Sequence, residues 1–244
     1  MPGGTSRIRV SIANGIVAYS AAVADLPFPI APPYDDALLA ALDLEGKIPR
    51  ALEALGPIGG RDVAVVGPGP TELGQLANLG GRLTDVASPP GASTAPPPTA
   101  SAPATSGLFA GSVDVVTARW TAFRGADPAE VADADRVLRP GGRLLVVHDY
   151  GRDDVSRLRG DLPEYRLWSR RDGPFLAAGF RIRVIHCFWT FPDLAAAHSF
   201  LRGAFGVAGE AVAATLKRPR LTYNVGVYHR TRGGDDPAGD VPAG

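Results

Sequence analysis

Asp62-Val63-Ala64-Val65-Val66-Gly67-Pro68-Gly69-Pro70-Thr71-Glu72-Leu73 is the stretch on which the fold turns. Behind Asp62 runs a continuous apolar series, the pattern of a strand buried on both faces. It stops at Gly67-Pro68-Gly69. Pro70 suits the first turn of a helix, where a missing N–H costs nothing, and Glu72 places an acid in that same turn. Leu73 and Leu76 mark the buried stripe of this helix, and Gly80-Gly81 ends it.

The same alternation of strand and helix recurs on either side of this stretch. Arg82-Leu83-Thr84-Asp85-Val86 reads as a short second strand, Val113–Ala118 and Arg143–His148 as buried strands, and Phe180–Phe191 and Leu221–Arg230 as longer ones. Asp127-Pro128-Ala129-Glu130 combines an N-cap, a proline at the first helical position and an acid at the third, so a helix starts there and ends before Pro140. Helical spacing also marks Ala37–Leu42, Ile48–Leu55, the residues before Gly179, and a region from Asp193 to about Leu216 interrupted by Gly203, Gly206 and Gly209. Near the start, Ile8-Val10-Ile12, Asn14-Gly15 and Ile16–Tyr19 predict a β-hairpin, because Asn-Gly supplies the positive φ angles of a tight turn. Residues 1–33 are thus expected as hairpin and Pro-rich linker, 34–232 as the main domain, and 233–244 as a disordered tail. Ser88–Gly107 contains only Ser, Thr, Ala, Pro and Gly, with six prolines, and is expected as a flexible loop.

Strands alternating with helices give an α/β fold with a doubly wound sheet, whose ligands bind outside the carboxyl ends of the strands. Those ends are Gly67–Pro70, Val86–Ser88, Ala118–Trp120 and His148–Tyr150. A dinucleotide fingerprint fails here, since its third glycine falls on Glu72, and no Gly-Lys-Ser/Thr run exists for a P-loop. The glycines also fit a tight strand-to-helix turn of any α/β protein. His148-Asp149-Tyr150 clusters side chains able to move protons at a strand end, and His titrates near neutrality.

Composition narrows the function classes. Lys+Arg 25 against Asp+Glu 25 gives net charge +0, unlike a dedicated nucleic-acid binder. The single Cys187 excludes a disulfide framework and a cysteine zinc site, and the scattered histidines lack ligand spacing, so no metal is expected. Hydrophobic residues at 45% suffice for a core, without a membrane-length apolar run or a signal-peptide h-region. A soluble cytoplasmic protein is the expectation.

The glycine turn Gly67-Pro68-Gly69-Pro70-Thr71, the strand Val113–Ala118 and the run Ala134-Asp135-Arg136-Val137-Leu138-Arg139-Pro140-Gly141-Gly142-Arg143–Val147 together resemble the class I S-adenosylmethionine-dependent methyltransferases. The resemblance spans roughly Tyr34–Arg232. It implies a doubly wound, mostly parallel Rossmann-like methyltransferase sheet with its third strand weak or missing, S-adenosylmethionine as methyl donor, and a small-molecule acceptor. By the same resemblance Gly67, Gly69, Thr71 and Asp85 are candidate donor-binding residues, joined by Arg119, which leaves its strand on the ligand side, and the strand-end cluster His148, Asp149 and Tyr150 supplies the candidate catalytic residues. Three positions depart from the family pattern: Val65 where an acid usually precedes the glycine turn, Thr71 for a third glycine, and Ala87 where a ribose-binding carboxylate stands, with Asp85 two residues earlier. The alternative is a methyltransferase-fold protein without donor binding that serves as a binding or scaffold partner. Neither nucleic acid nor membrane is an expected partner, and the N-terminal hairpin could add to the sheet edge of a second copy in a homodimer.

Overall fold

The computed structural model describes residues 25–87, 105, 107–121 and 127–233. The expected N-terminal hairpin, most of the 88–107 segment and the tail beyond Gly233 lie outside the described residues. The elements are Tyr34–Ala41 (α1), Lys47–Leu55 (α2), Asp62–Val66 (β1), Pro70–Asn78 (α3), Arg82–Val86 (β2), Val113–Arg119 (β3) and Pro128–Val137 (α4). Leu138–Asp149 (β4), Asp154–Arg159 (α5), Pro163–Trp168 (α6), Pro174–Ala177 (α7), Arg181–Thr190 (β5), Leu194–Thr215 (α8) and Arg220–Thr231 (β6) follow.

The strands form one six-stranded sheet in the order β2-β1-β3-β4-β6-β5. β1 pairs in parallel with β2 and β3, and β3 with β4; β6 is antiparallel to both β4 and β5. This is the doubly wound, mostly parallel sheet expected. No strand lies between β2 and β3 among the described residues.

Alternation along each strand divides the core in two. Val63, Val65, Val115, Leu145, Val147, Val225 and Val227 face Leu38, Ile48, Leu52, Ala197 and Leu201 from α1, α2 and α8. Ala64, Val66, Val116, Ala118, Leu144, Val146 and Tyr228 face Ala134 and Val137 of α4 and Phe175 of α7. Both faces are therefore covered, which is why the central strands read as unbroken apolar runs rather than as alternating ones.

The caps and breaks follow the sequence closely in places and depart in others. The Asp127 side chain accepts the Ala129 N–H, and the Asp193 side chain accepts the Ala196 N–H, as N-caps do. β4 begins earlier than the apolar run suggests. Leu138 already pairs with Val113, and the register shift between Val113 and Val115 absorbs Pro140-Gly141-Gly142 as an irregularity within the strand. In α8 only Gly206 leaves helical geometry; Gly203 stays helical, and a Cβ there would meet the Tyr34 hydroxyl at 2.1 Å. α5 and α6 lie in a stretch with no periodic signal. α5 is fixed by a capping box between Asp153 and Ser156, and the Asn224 N–H of β6 donates to the same Asp153 carboxylate at 2.6 Å. The Pro-rich segment before α1 packs onto the core through Leu26 and Phe28.

Phe175 stacks on Tyr228 at 3.9 Å between centroids and meets Phe180 edge-on at 5.4 Å, with no exposed surface. Phe175→Ala is expected to lower unfolding free energy by about 3–5 kcal/mol, read from urea denaturation.

Candidate functional site

The chain leaves β1 at Gly67, whose N–H still donates to Val86 O at 2.7 Å and whose φ of 61° lies in the left-handed region that suits glycine. Gly69 is the N-cap of α3 and has no side chain to satisfy the first turn. A carboxylate from elsewhere does so. Asp25 accepts the Thr71 N–H at 2.7 Å and the Glu72 N–H at 2.8 Å, so a negative charge sits at the positive end of the helix. A Cβ on residue 69 would lie 2.2 Å from Asp25 Cγ, so only glycine allows this approach.

Arg119, at the carboxyl end of β3, closes the other side. Its Nη2 donates to Asp25 Oδ1 at 3.0 Å and its Nη1 to Gln75 Oε1 at 2.9 Å. Its guanidinium lies 5.1 Å from the centroid of the Trp120 ring. Trp120 holds φ at 53°, strained for an aromatic residue, while its N–H donates to Val147 O at 3.0 Å. β1 and β3 flank the point where the strand order reverses, and the loops leaving their carboxyl ends are the natural ligand-binding ground of such a sheet.

Glu72 completes a buried cluster with one cation and two carboxylates. It is 1% exposed, and its two oxygens accept no hydrogen bond among the described residues; Arg119 Nε stands 3.7 Å away. Burial raises its pKa to about 7, with the Arg119 charge opposing and the Asp25 charge reinforcing the shift.

His148, Asp149 and Tyr150 do not converge. His148 is buried on the α7 face, its ring 5.0 Å from that of Trp168 and 5.9 Å from that of Phe175. Asp149 turns to the opposite face, where it accepts hydrogen bonds from Arg159, Tyr165 and Tyr223. Burial raises its pKa, against the pull of Arg159 and the tyrosine hydroxyls. Tyr150 follows the strand and lines a cavity of about 350 Å³ with Arg152, Arg157, Asp161, Leu162, Tyr165 and Arg166. Asp85 stands beside Val65 in register on the edge strand and is exposed.

Gly67, Gly69, Thr71 and Arg119 are thus brought to one place, with Asp85 on the neighbouring strand. Asp25, Gln75 and Tyr223 are additions that no local pattern announces, since each acts across 44 residues or more, and Arg159 and Tyr165 join Asp149 from 10 and 16 residues further on. Glu72 was visible as an acid in the first turn, but its burial was not. No group of three or more His, Cys, Asp or Glu able to hold a metal exists among the described residues. No described helix is long and apolar enough to cross a membrane.

The sign of the Glu72 shift fixes its effect on stability. Its folded pKa of about 7 exceeds the ordinary 4.5, so the folded state binds the proton more tightly. The stability this proton contributes is lost as pH rises through that window. Glu72→Gln is expected to gain stability relative to the parent protein between pH 5 and 8, by roughly 2–3 kcal/mol. Denaturation midpoints measured across that range check it.

No protein-family model and no curated protein matches the chain. Solved structures similar to it include a proposed Type II methyltransferase from Anaeromyxobacter dehalogenans, 22% identical over 76% of this chain and 95% of that one, at a TM-score of 0.44. A proposed methyltransferase from Bacillus halodurans C-125 is 15% identical over 75% and 98% of the two chains, at a TM-score of 0.42. A geranyl diphosphate methyltransferase in complex with its diphosphate and sinefungin is 17% identical over 82% and 84%, at 0.36. With identities and scores this low, any functional reading rests on the chain's own sheet order and side chains.

Proposed function

We propose that this chain transfers a methyl group from S-adenosylmethionine to a small-molecule acceptor. The observation that carries the reading is the seat at the start of α3. Two backbone N–H groups and the Arg119 guanidinium surround a carboxylate, above a glycine that leaves the space open, at the switch point of a doubly wound sheet. An amino-acid carboxylate is the chemical match for that donor set, and S-adenosylmethionine carries one. When bound, the donor supplies a sulfonium-activated methyl group, whose transfer needs mainly in-line positioning of an acceptor nucleophile.

In this reading Gly67 and Gly69 allow close approach of the donor's amino-acid end. Thr71, Glu72 and Arg119 hold its carboxylate, and Asp85 is the carboxylate available to ribose hydroxyls. The acceptor lies on the β4 side. Tyr150 and Tyr165 wall a cavity there, and Asp149, held by Arg159 and Tyr223, fixes the Tyr165 hydroxyl. His148 supports this edge by packing against Trp168 and Phe175.

A second reading has its own observations. Asp25 occupies the seat, Val65 is apolar and fully buried, and Ala87 carries no carboxylate. These fit a chain that keeps the fold, binds no donor and serves as a binding or scaffold partner. Calorimetric titration with S-adenosylmethionine and S-adenosylhomocysteine separates the two. Saturable heat is expected under the first reading, with Asp85→Ala weakening the affinity about tenfold or more through loss of a charged hydrogen bond. Absence of both heat and thermal shift at millimolar ligand would leave the scaffold reading.

A further inference from the structure

The seat at the start of α3 is filled from within the chain, and the filling group is placed so that it can be exchanged. Asp25 lies 46 residues before Thr71, and residues 26–33, between it and α1, form neither helix nor strand. That segment crosses the carboxyl edge of the sheet. Leu26 is buried, and the Phe28 ring lies 3.9 Å from the Arg159 guanidinium and 5.9 Å from the Trp189 ring. Its neighbour at the seat, Glu72, is buried with both oxygens unpartnered among the described residues, and Arg119 Nε likewise donates to nothing described. The 3.7 Å between them is just beyond a hydrogen bond.

Arg119 thus faces two carboxylates and hydrogen-bonds only one of them, Asp25. With Asp25 seated, Glu72 is a buried acid with no hydrogen bond. With Asp25 withdrawn, Arg119 keeps Glu72 beside its Nε and its Nη2 is left free for another carboxylate. The N–H groups of Thr71 and Glu72 would then face an empty, carboxylate-sized space over Gly69. An ordinary N-cap comes from the residue at the helix start and offers no such alternative.

We propose that Asp25 is an exchangeable internal ligand of a carboxylate-binding site, and that the α-carboxylate of an amino-acid-bearing ligand replaces it when residues 25–28 lift. Taking that ligand to be the methyl donor rests on the function proposed above; the exchangeable site itself does not. The chain thereby competes with its own ligand, and the apparent affinity is reduced by the fraction of molecules in which the seat is open.

The test uses Asp25→Gly in the full chain, which empties the seat. Acetate at tens of millimolar is expected to raise the melting temperature of this variant by several degrees over chloride at equal ionic strength, and to leave the parent protein unmoved. S-adenosylhomocysteine is expected to bind the variant about tenfold or more tightly than the parent. No acetate effect on the variant would overturn the proposal, as would equal affinity of both proteins for S-adenosylhomocysteine. Acetate rescue with S-adenosylhomocysteine binding to neither protein would uphold the carboxylate site and overturn the methyl-donor reading. Should Asp25→Gly fail to fold, Asp25→Asn keeps the side-chain volume and removes the charge. The same tightening of S-adenosylhomocysteine binding supports the proposal there, and unchanged binding overturns it.

Discussion

Burial of β1 on both faces is the constraint from which the rest follows. Val63, Ala64, Val65 and Val66 have no exposed surface, so the strand is committed to the middle of the sheet with neighbours on either side. A strand placed there hands its chain to a turn that must rise between β2 and β3 and start a helix at once. Only small or rigid residues fit that passage, and Gly-Pro-Gly-Pro provides them. The start of α3 is therefore held at the switch point by packing beneath it. Its unpaired N–H groups then have to be satisfied by something that comes to them.

The two ends of the strands treat charge in opposite ways. At the amino end, Asp62, Arg82, Asp114 and Arg139 form ion pairs open to solvent, and the two arginines hold the Asp62 carboxyl down to about 2. Such pairs contribute little to stability beyond fixing the ends of β1 and β3. At the carboxyl end, Asp25, Glu72, Arg119, Asp149 and Arg159 are nearly or wholly withdrawn from water, and the carboxyls of Glu72 and Asp149 are pushed upward by that burial. Buried charge is costly and is tolerated where its geometry is tightly held, and the charge withdrawn from water here gathers at the carboxyl edge, where the proposed function places its ligands.

Legibility in the sequence tracked the range of the interaction concerned. The strands were readable because a doubly buried strand must be apolar throughout, and the α4 start because its cap lies within four residues. α5 and α6 were not, since six-residue helices carry too little periodicity and owe their existence to contacts with β6 and α7. Gly67, Gly69 and Arg119 stand at strand ends that the sequence marks, and Thr71 joined them through the family resemblance. His148, Asp149 and Tyr150 look like a cluster when written in a line, yet successive residues of a strand point to opposite faces, and the first two part company for that reason. Asp25 had no signal at all: an acid before a Pro-rich stretch gives no hint of a helix it will meet far along the chain.

The position of β6 carries a consequence for how the molecule is made. It is the last of the described strands, yet it is inserted between β4 and β5 and bonded to both. During synthesis, every earlier described strand emerges before the one that joins β5 to the rest of this sheet. Until then β4 and β5 each present an unpaired edge of about ten residues or more, apolar on at least one side. The nascent chain is thus most exposed to wrong pairing in the interval when α8 is leaving the ribosome, and the break at Gly206 lies within the segment made during that interval.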